Sequence, residues 1–217
     1  MAMSGTGPMG ATAVSRRKVI TAIAAVAVLG AMVLDTTVVR IGSEDDLRQQ
    51  AFDPDRFGQT EFPRIRDLVA SRAAQAPALA EALSADKAAA IAAHGTMAGA
   101  FPVLAVQATG VMGEGKSGIF SLAVDGLPEG TGLRVQTGPA INGTELRDIP
   151  GDIDFGAFTN QIEYQDAGAG INRAMAAEVL SDLDRDALTG KTVTVTGVFT
   201  MINPKNWLIT PVRMDIQ

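Results

Sequence analysis

Cysteine is absent from this chain. That removes disulfides, thiol nucleophiles, cysteine metal sites and any lipid-bearing cysteine. Histidine occurs once, as His94, so no multi-histidine metal cluster can be built. No serine–histidine–acid triad is readily assembled around one histidine at a helix end either. Aromatic side chains are few, with one Trp and one Tyr. Positive charge is in deficit: the net charge is −6 and the pI about 4.8. Neutralising phosphates needs a basic face, so nucleic acid is not an expected partner. The pair Gly113-x-Gly115 lacks the lysine, the spacing and the strand–helix setting of a phosphate loop. No cofactor and no metal are expected.

What is present begins with a targeting segment. Residues 1–36 comprise a small, polar start, the basic flank Arg16-Arg17-Lys18 and the apolar run Val19–Leu34. The run is longer than a signal-peptide core and slightly short of a full bilayer span. Its best cleavage pattern, Val28-x-Gly30, is poor, so it reads as an uncleaved anchor. Basic residues ahead of it put the N-terminus in the cytoplasm and the rest outside. The expectation is a single-pass inner-membrane protein held by Val19–Leu34, with its C-terminal domain periplasmic. Ser15-Arg16-Arg17 also resembles the start of a twin-arginine signal.

A helical lead-in is expected over residues 37–100, after an extended stretch at Thr37–Gly42. Asp53-Pro54-Asp55 can start a helix at Pro54. Phe62, Ile65, Leu68, Val69 and Ala73 recur at helical spacing within Glu61–Gln75. Pro77 restarts a helix through Leu83, and Ser84 can cap another over Ala85–Ala93. Gly95 ends it, leaving His94 as a capping or surface histidine.

Past Ala100 the pattern changes to two-residue alternation with β-branched residues. Strands are read at Phe101–Met112, Ile119–Val124 and Leu133–Asn142, with turns at Gly113–Gly115 and Leu127–Gly132. A helix follows at about 155–183, with Asp154 as its cap. Two more strands are read at Thr192–Met201 and Trp207–Ile216. Three strands, a helix and two strands is the order of the oligonucleotide/oligosaccharide-binding (OB) fold, a five-stranded, partly open barrel. Gly110 and Gly197 would supply its bends or bulges. The fold class is therefore α+β, with an OB-like barrel domain over 101–217. A five-stranded sheet with one packed helix would give the same string.

The chemistry-bearing residues concentrate between Gly138 and Gln165. Arg147 and Asp148 sit in the loop before the central helix; Asn160, Gln161, Tyr164 and Asn172 lie on or beside that helix. A guanidinium among amide side chains can fix a carboxylate or a sugar hydroxyl. The same residues can also form a buried structural network that satisfies an irregular loop. Phe158 and Ile162 share a face expected to cover the barrel mouth. Tyr164, Ala167, Ile171 and Met175 form an apolar stripe. Gly168 and Gly170 would let a strand or a ligand approach the helix. Asp148, Asp152, Asp154 and Glu163 could supply the carboxylate pair of a carbohydrate-cleaving enzyme, although such acids are more often caps and loop charges.

At GTELRD (Gly143–Asp148), FTNQIEYQ (Phe158–Gln165) and Asn172 the chain resembles a family of bacterial predicted periplasmic lipoproteins of unknown function. Phe52-Asp53-Pro54 and WLITPV (Trp207–Val212) fit the same family. Its members are often encoded beside sugar ABC transporter components. The resemblance implies a periplasmic accessory or binding protein that works with a sugar ABC transporter component or a small polar ligand. It carries no catalytic residues, and the lipid-attachment cysteine has no counterpart here. The alternatives are an enzyme using the acids near Arg147 and a non-binding scaffold of a membrane complex.

Overall fold

The computed structural model describes residues 16–35 and 52–217, which belong to two separate units, Met1–Ala51 and Phe52–Gln217. The stretch expected to be extended, Thr37–Gly42, lies outside the described residues. In the first unit the apolar run forms helix α1, Arg16–Asp35. Among the described residues, however, no helix is long and apolar enough to cross a membrane. The membrane-spanning helix expected from the sequence is therefore not borne out. The reason is length: charged residues at both ends leave only Val19–Leu34, about 24 Å at the helical rise, against a hydrocarbon core of about 30 Å.

The second unit opens with α2, Pro54–Arg72. Asp53 caps it, its side chain accepting from the N–H groups of Asp55 and Arg56 at 3.1 and 3.0 Å. Pro54 occupies the first position, where a missing N–H costs nothing. The helix continues through Pro63 rather than stopping. A two-residue strand β1 (Ala74–Gln75) leads into α3 (Ala76–Ala85) and α4 (Lys87–His94). Asp86, not Ser84, caps α4, accepting from Ala89 N–H at 3.0 Å. Ser84 still lies in the last turn of α3, where its hydroxyl donates to the Ala80 carbonyl at 3.0 Å. His94 Nδ1 donates to the carbonyl of Arg72 at 2.7 Å, so it caps the neighbouring α2.

The strands are β2 (Gly95–Ala98), β3 (Phe101–Lys116), β4 (Ile119–Ala123), β5 (Gly132–Gln136), β6 (Thr192–Thr200) and β7 (Asn206–Ile216). Between β5 and β6 lie a short helix α5 (Glu145–Asp148), a 3-10 turn (Phe155–Ala157), the helix α6 (Gln161–Val179) and a second 3-10 turn (Arg185–Ala187). β3–β4, β4–β5 and β6–β7 pair antiparallel, as the strand order predicts. Two further pairings close a ring of five strands: β3 runs antiparallel to β6, and β5 parallel to β7. β2 and β1 add to the outer part of β3.

Several element boundaries differ from expectation: the lead-in expected to be helical over 37–100 contains β1 and β2, and the central helix ends at Val179 rather than near 183. β3 runs on to Lys116, because Gly113–Gly115 is an irregularity in the β3–β4 register and not the turn. The reversal comes at Ser117 and Gly118, both at positive φ (53° and 76°), which suits a two-residue hairpin. β5 stops at Gln136, where Gly138 takes φ 81° and breaks the strand. The long helix starts at Gln161, not near Phe155. Asp154 makes no side-chain cap bond, while Asn160 Oδ1 accepts from Ile162 and Glu163 N–H at 2.9 and 3.0 Å. Gly197 does mark a register shift between β6 and β7.

β3 is buried on both faces, and its alternation feeds two cores. Leu104, Val106 and Ala108 point into the ring with Phe120, Val135, Val195, Phe199, Trp207 and Ile209. Val103 and Ala105 point outward, against Phe62, Ile65 and Val69 of α2 and Ile171 and Met175 of α6. Trp207 is fully buried, stacked on Phe199 with ring centroids 4.5 Å apart, and its indole N–H donates to Pro204 at 2.8 Å. The outer core is what holds α2 and α6 in place.

Candidate functional site

The loop after β5 is pinned first. Gln136, itself buried, donates to the Asn142 carbonyl and to Thr210 and accepts from Asn142 N–H. This delivers Thr144 and α5 to the flank of α6. Thr144 makes no cap bond to α5; its hydroxyl instead donates to Asp148 Oδ2 at 2.6 Å. The other Asp148 oxygen accepts a hydrogen bond from Arg147 Nε at 2.9 Å, and Nη2 lies 2.8 Å from it as the closest atom of the ion pair. Arg147 Nη1 donates to the Tyr164 carbonyl at 3.1 Å, and the guanidinium carbon lies 3.7 Å from the centre of the Tyr164 ring. Only 8% of Arg147 is exposed. Asn172, from the same helix, donates to the Gly143 carbonyl at 2.9 Å.

Four of the six expected residues thus meet: Arg147, Asp148, Tyr164 and Asn172 join the loop and α5 to α6. Arg147 is as buried and as charge-assisted as the sequence suggests. Asn160 and Gln161 stand apart at the exposed start of α6, Asn160 working as its cap. Phe158 does not cover a barrel mouth. It joins an aromatic cluster with Phe52, Phe57 and Tyr164, at centroid distances of 5.4–5.6 Å. Ile162 points to solvent, 69% exposed. The stripe of Ala167, Ile171 and Met175 is buried as read. Beside Gly170 the close neighbour is a helix, α2, and not a strand.

Three of the four acidic candidates, Asp148, Asp152 and Glu163, have other partners. Asp148 is held by Arg147 and Thr144. Asp152 pairs with Arg64 at 2.7 Å. Glu163 accepts from Thr159 N–H at 2.9 Å, stabilising the start of α6. Among the described residues no group of His, Asp and Glu is placed to hold a metal ion.

Glu145 was not singled out by the sequence. It sits at the start of α5, and Thr200 of β6 donates to its carboxylate at 3.2 Å. Burial pushes its pKa up from 4.5, and the charge of Asp148 adds to the rise; its own backbone N–H and Thr200 pull the other way. A carboxyl with a raised folded pKa holds its proton more tightly in the fold than in the unfolded chain. Its contribution therefore favours folding at low pH and declines as pH rises from about 4.5 through the folded value. Glu145→Gln is expected to remove that decline. Urea midpoints measured from about pH 4 to pH 7 should show the variant gaining on the parent as pH rises. A gap that narrows with rising pH would overturn this.

Among the described residues, surface grooves open away from Arg147. One lies between α2 and α6, one is lined by Arg66, Glu178 and Arg213, and one, mostly apolar, lies between α4 and β2. The sequence carried no sign of the first, since its two walls are about a hundred residues apart.

The chain matches the family described as "Predicted periplasmic lipoprotein (DUF2291)" over residues 22–215, and it belongs to that family. Membership supports an extracytoplasmic location. No curated protein matches it. Among solved structures, an OB-fold protein from Thermotoga maritima superposes with a TM-score of 0.60 at 19% identity, covering 77% of this chain and 100% of that one. At that identity the likeness concerns the fold, and it agrees with the closed ring of strands.

Proposed function

From membership of that predicted periplasmic family, we propose that this chain is an accessory binding protein. Helix α1 holds it at the inner membrane, and the Phe52–Gln217 unit acts outside as a recognition module without covalent chemistry. The carrying observation is α1 itself. Ile20, Ile23, Val26, Val28 and Leu29 are 59–69% exposed, and at 100° per residue they point to every side of the helix. A helix apolar all round needs an apolar surrounding. The family is described as one of predicted lipoproteins, and with no cysteine in this sequence to carry a lipid the helix is the anchor in this reading. The apolar stretch is short, and a bilayer can thin locally around a short helix.

Resemblance to proteins encoded beside sugar ABC transporters supports a transporter component or a small polar ligand as the partner. The Arg147 network then has a structural task, holding α6 to the loop. The test is fractionation of the full-length protein. It should stay with membranes through high salt and alkaline carbonate, and a version lacking residues 1–35 should appear in the soluble periplasmic fraction when given a cleavable export signal. Release of the full-length protein by carbonate would overturn the anchor.

A further inference from the structure

We propose that the groove between α2 and α6 binds a small, uncharged, polyhydroxylated molecule. The two helices run in the same direction: Gly58 meets Gly170 at one level, and Arg66 meets Glu178 about two turns further along both. At the glycine level the backbones touch. Beyond it they leave a groove of about 460 Å³, within the range of roughly 300–1,000 Å³ typical of small-molecule sites. Both walls supply positions at helical spacing, Asp55, Gln59 and Pro63 from α2 and Arg173, Ala177 and Glu178 from α6.

The lining favours hydrogen-bond donors over charge. Its carboxylates are already matched: Asp55 binds Arg173 Nε at 2.6 Å, and Glu178 binds Arg66. A cationic or anionic ligand would have to break one of these pairs. A hydroxyl can use the lone pairs the pairs leave over. Pro63 adds a backbone acceptor, because it has no N–H to give the Gln59 carbonyl one turn earlier. The floor is apolar: the Phe62 ring and the methyl group of Ala174. An acceptor-rich, neutral wall above an apolar floor suits a ring or chain that carries hydroxyls on its edge and C–H groups on its face.

This deepens the recognition role proposed above and rests on it. The experiment is an NMR titration of the full-length chain in a detergent free of sugar groups. The probes are D-glucose and myo-inositol, with putrescine and acetate as charged comparators. At least one polyol is expected to shift the amides of Gln59, Arg173 and Ala177 in a saturable way. Ala177→Phe, at an exposed position, should fill the groove and weaken binding at least tenfold while leaving the spectrum of the ring unchanged. Pro63→Ala should weaken it several-fold by giving the Gln59 carbonyl a helical donor. Preference for putrescine or acetate, unchanged binding in Ala177→Phe, or no saturable shift would overturn the groove. Saturable shifts on another face would also overturn it, yet leave recognition by the domain standing. Membrane extraction tests the anchor independently of all these outcomes.

Discussion

Arg147→Ala is expected to lower stability by roughly 3–5 kcal/mol, the cost of stranding one member of a buried ion pair. The side chains of Arg147 and Asp148 are 9% and 18% exposed, so solvent can do little to replace the lost guanidinium. Asp148 would keep only the Thr144 hydroxyl. The Tyr164 carbonyl would lose its side-chain donor and keep only its helical one, and its ring would lose the cation lying on it. A domain of this kind is held by about 5–15 kcal/mol in all, so the loss should be plain in urea denaturation followed by Trp207 fluorescence. Arg147→Lys should recover only part, because an ammonium cannot bond Asp148 and the Tyr164 carbonyl together while lying flat on the ring. A loss below about 1 kcal/mol would mean that the pair behaves as a surface salt bridge. If folding survived intact and a bound ligand were lost, Arg147 would be a recognition residue and the structural assignment would fall.

Gly170→Ala is expected to cost about 2 kcal/mol or more, even though alanine is the better helix former by about 1 kcal/mol. A Cβ there would lie 1.9 Å from the Pro54 carbonyl oxygen. That neighbour is backbone, so the helices must separate, and the outer core opens with them. Two positions earlier the outcome should reverse. A Cβ on Gly168 would meet Arg147 and Thr144 at 3.8 Å, an ordinary contact. Gly168→Ala should therefore gain about 0.5–1 kcal/mol from helix propensity and reduced unfolded-state freedom. Equal losses at the two positions would show that helix packing at Gly170 is not what distinguishes them. The same clash predicts that Gly170→Ala disturbs the α2–α6 groove, whereas Gly168→Ala leaves it unchanged.

Much of this protein is legible from local pattern. Asp53 and Pro54 start α2 because capping and proline geometry act within one turn. The strand order through β7 follows from alternation, and its antiparallel neighbours follow from short connections. Arg147 stood out because a guanidinium among amide side chains either fixes a ligand or completes a buried network. The misreadings are also local. Asp154 and Asn160 are both competent caps, and only Asn160 has an extended backbone directly ahead of a run that remains helical. Ser84 and Asp86 pose the same choice.

Local sequence was enough for the five strands of the ring, the helices α2, α3, α4 and α6, and their order, because these depend on neighbours within a few positions; β1, β2 and α5 are too short to leave such a pattern. Tertiary structure alone decided the parallel β5–β7 pairing and the β3–β6 closure that turn a list of strands into a ring. It alone placed Tyr164 under Arg147, Asp55 beside Arg173, and Gly58 against Gly170. Each of these joins residues well separated along the chain, and no periodicity in a window of a dozen residues encodes which distant surface will arrive. They form because two cores share β3. Once its alternate side chains are buried on both faces, α2 and α6 have one place to lie, and only glycine lets their backbones meet there.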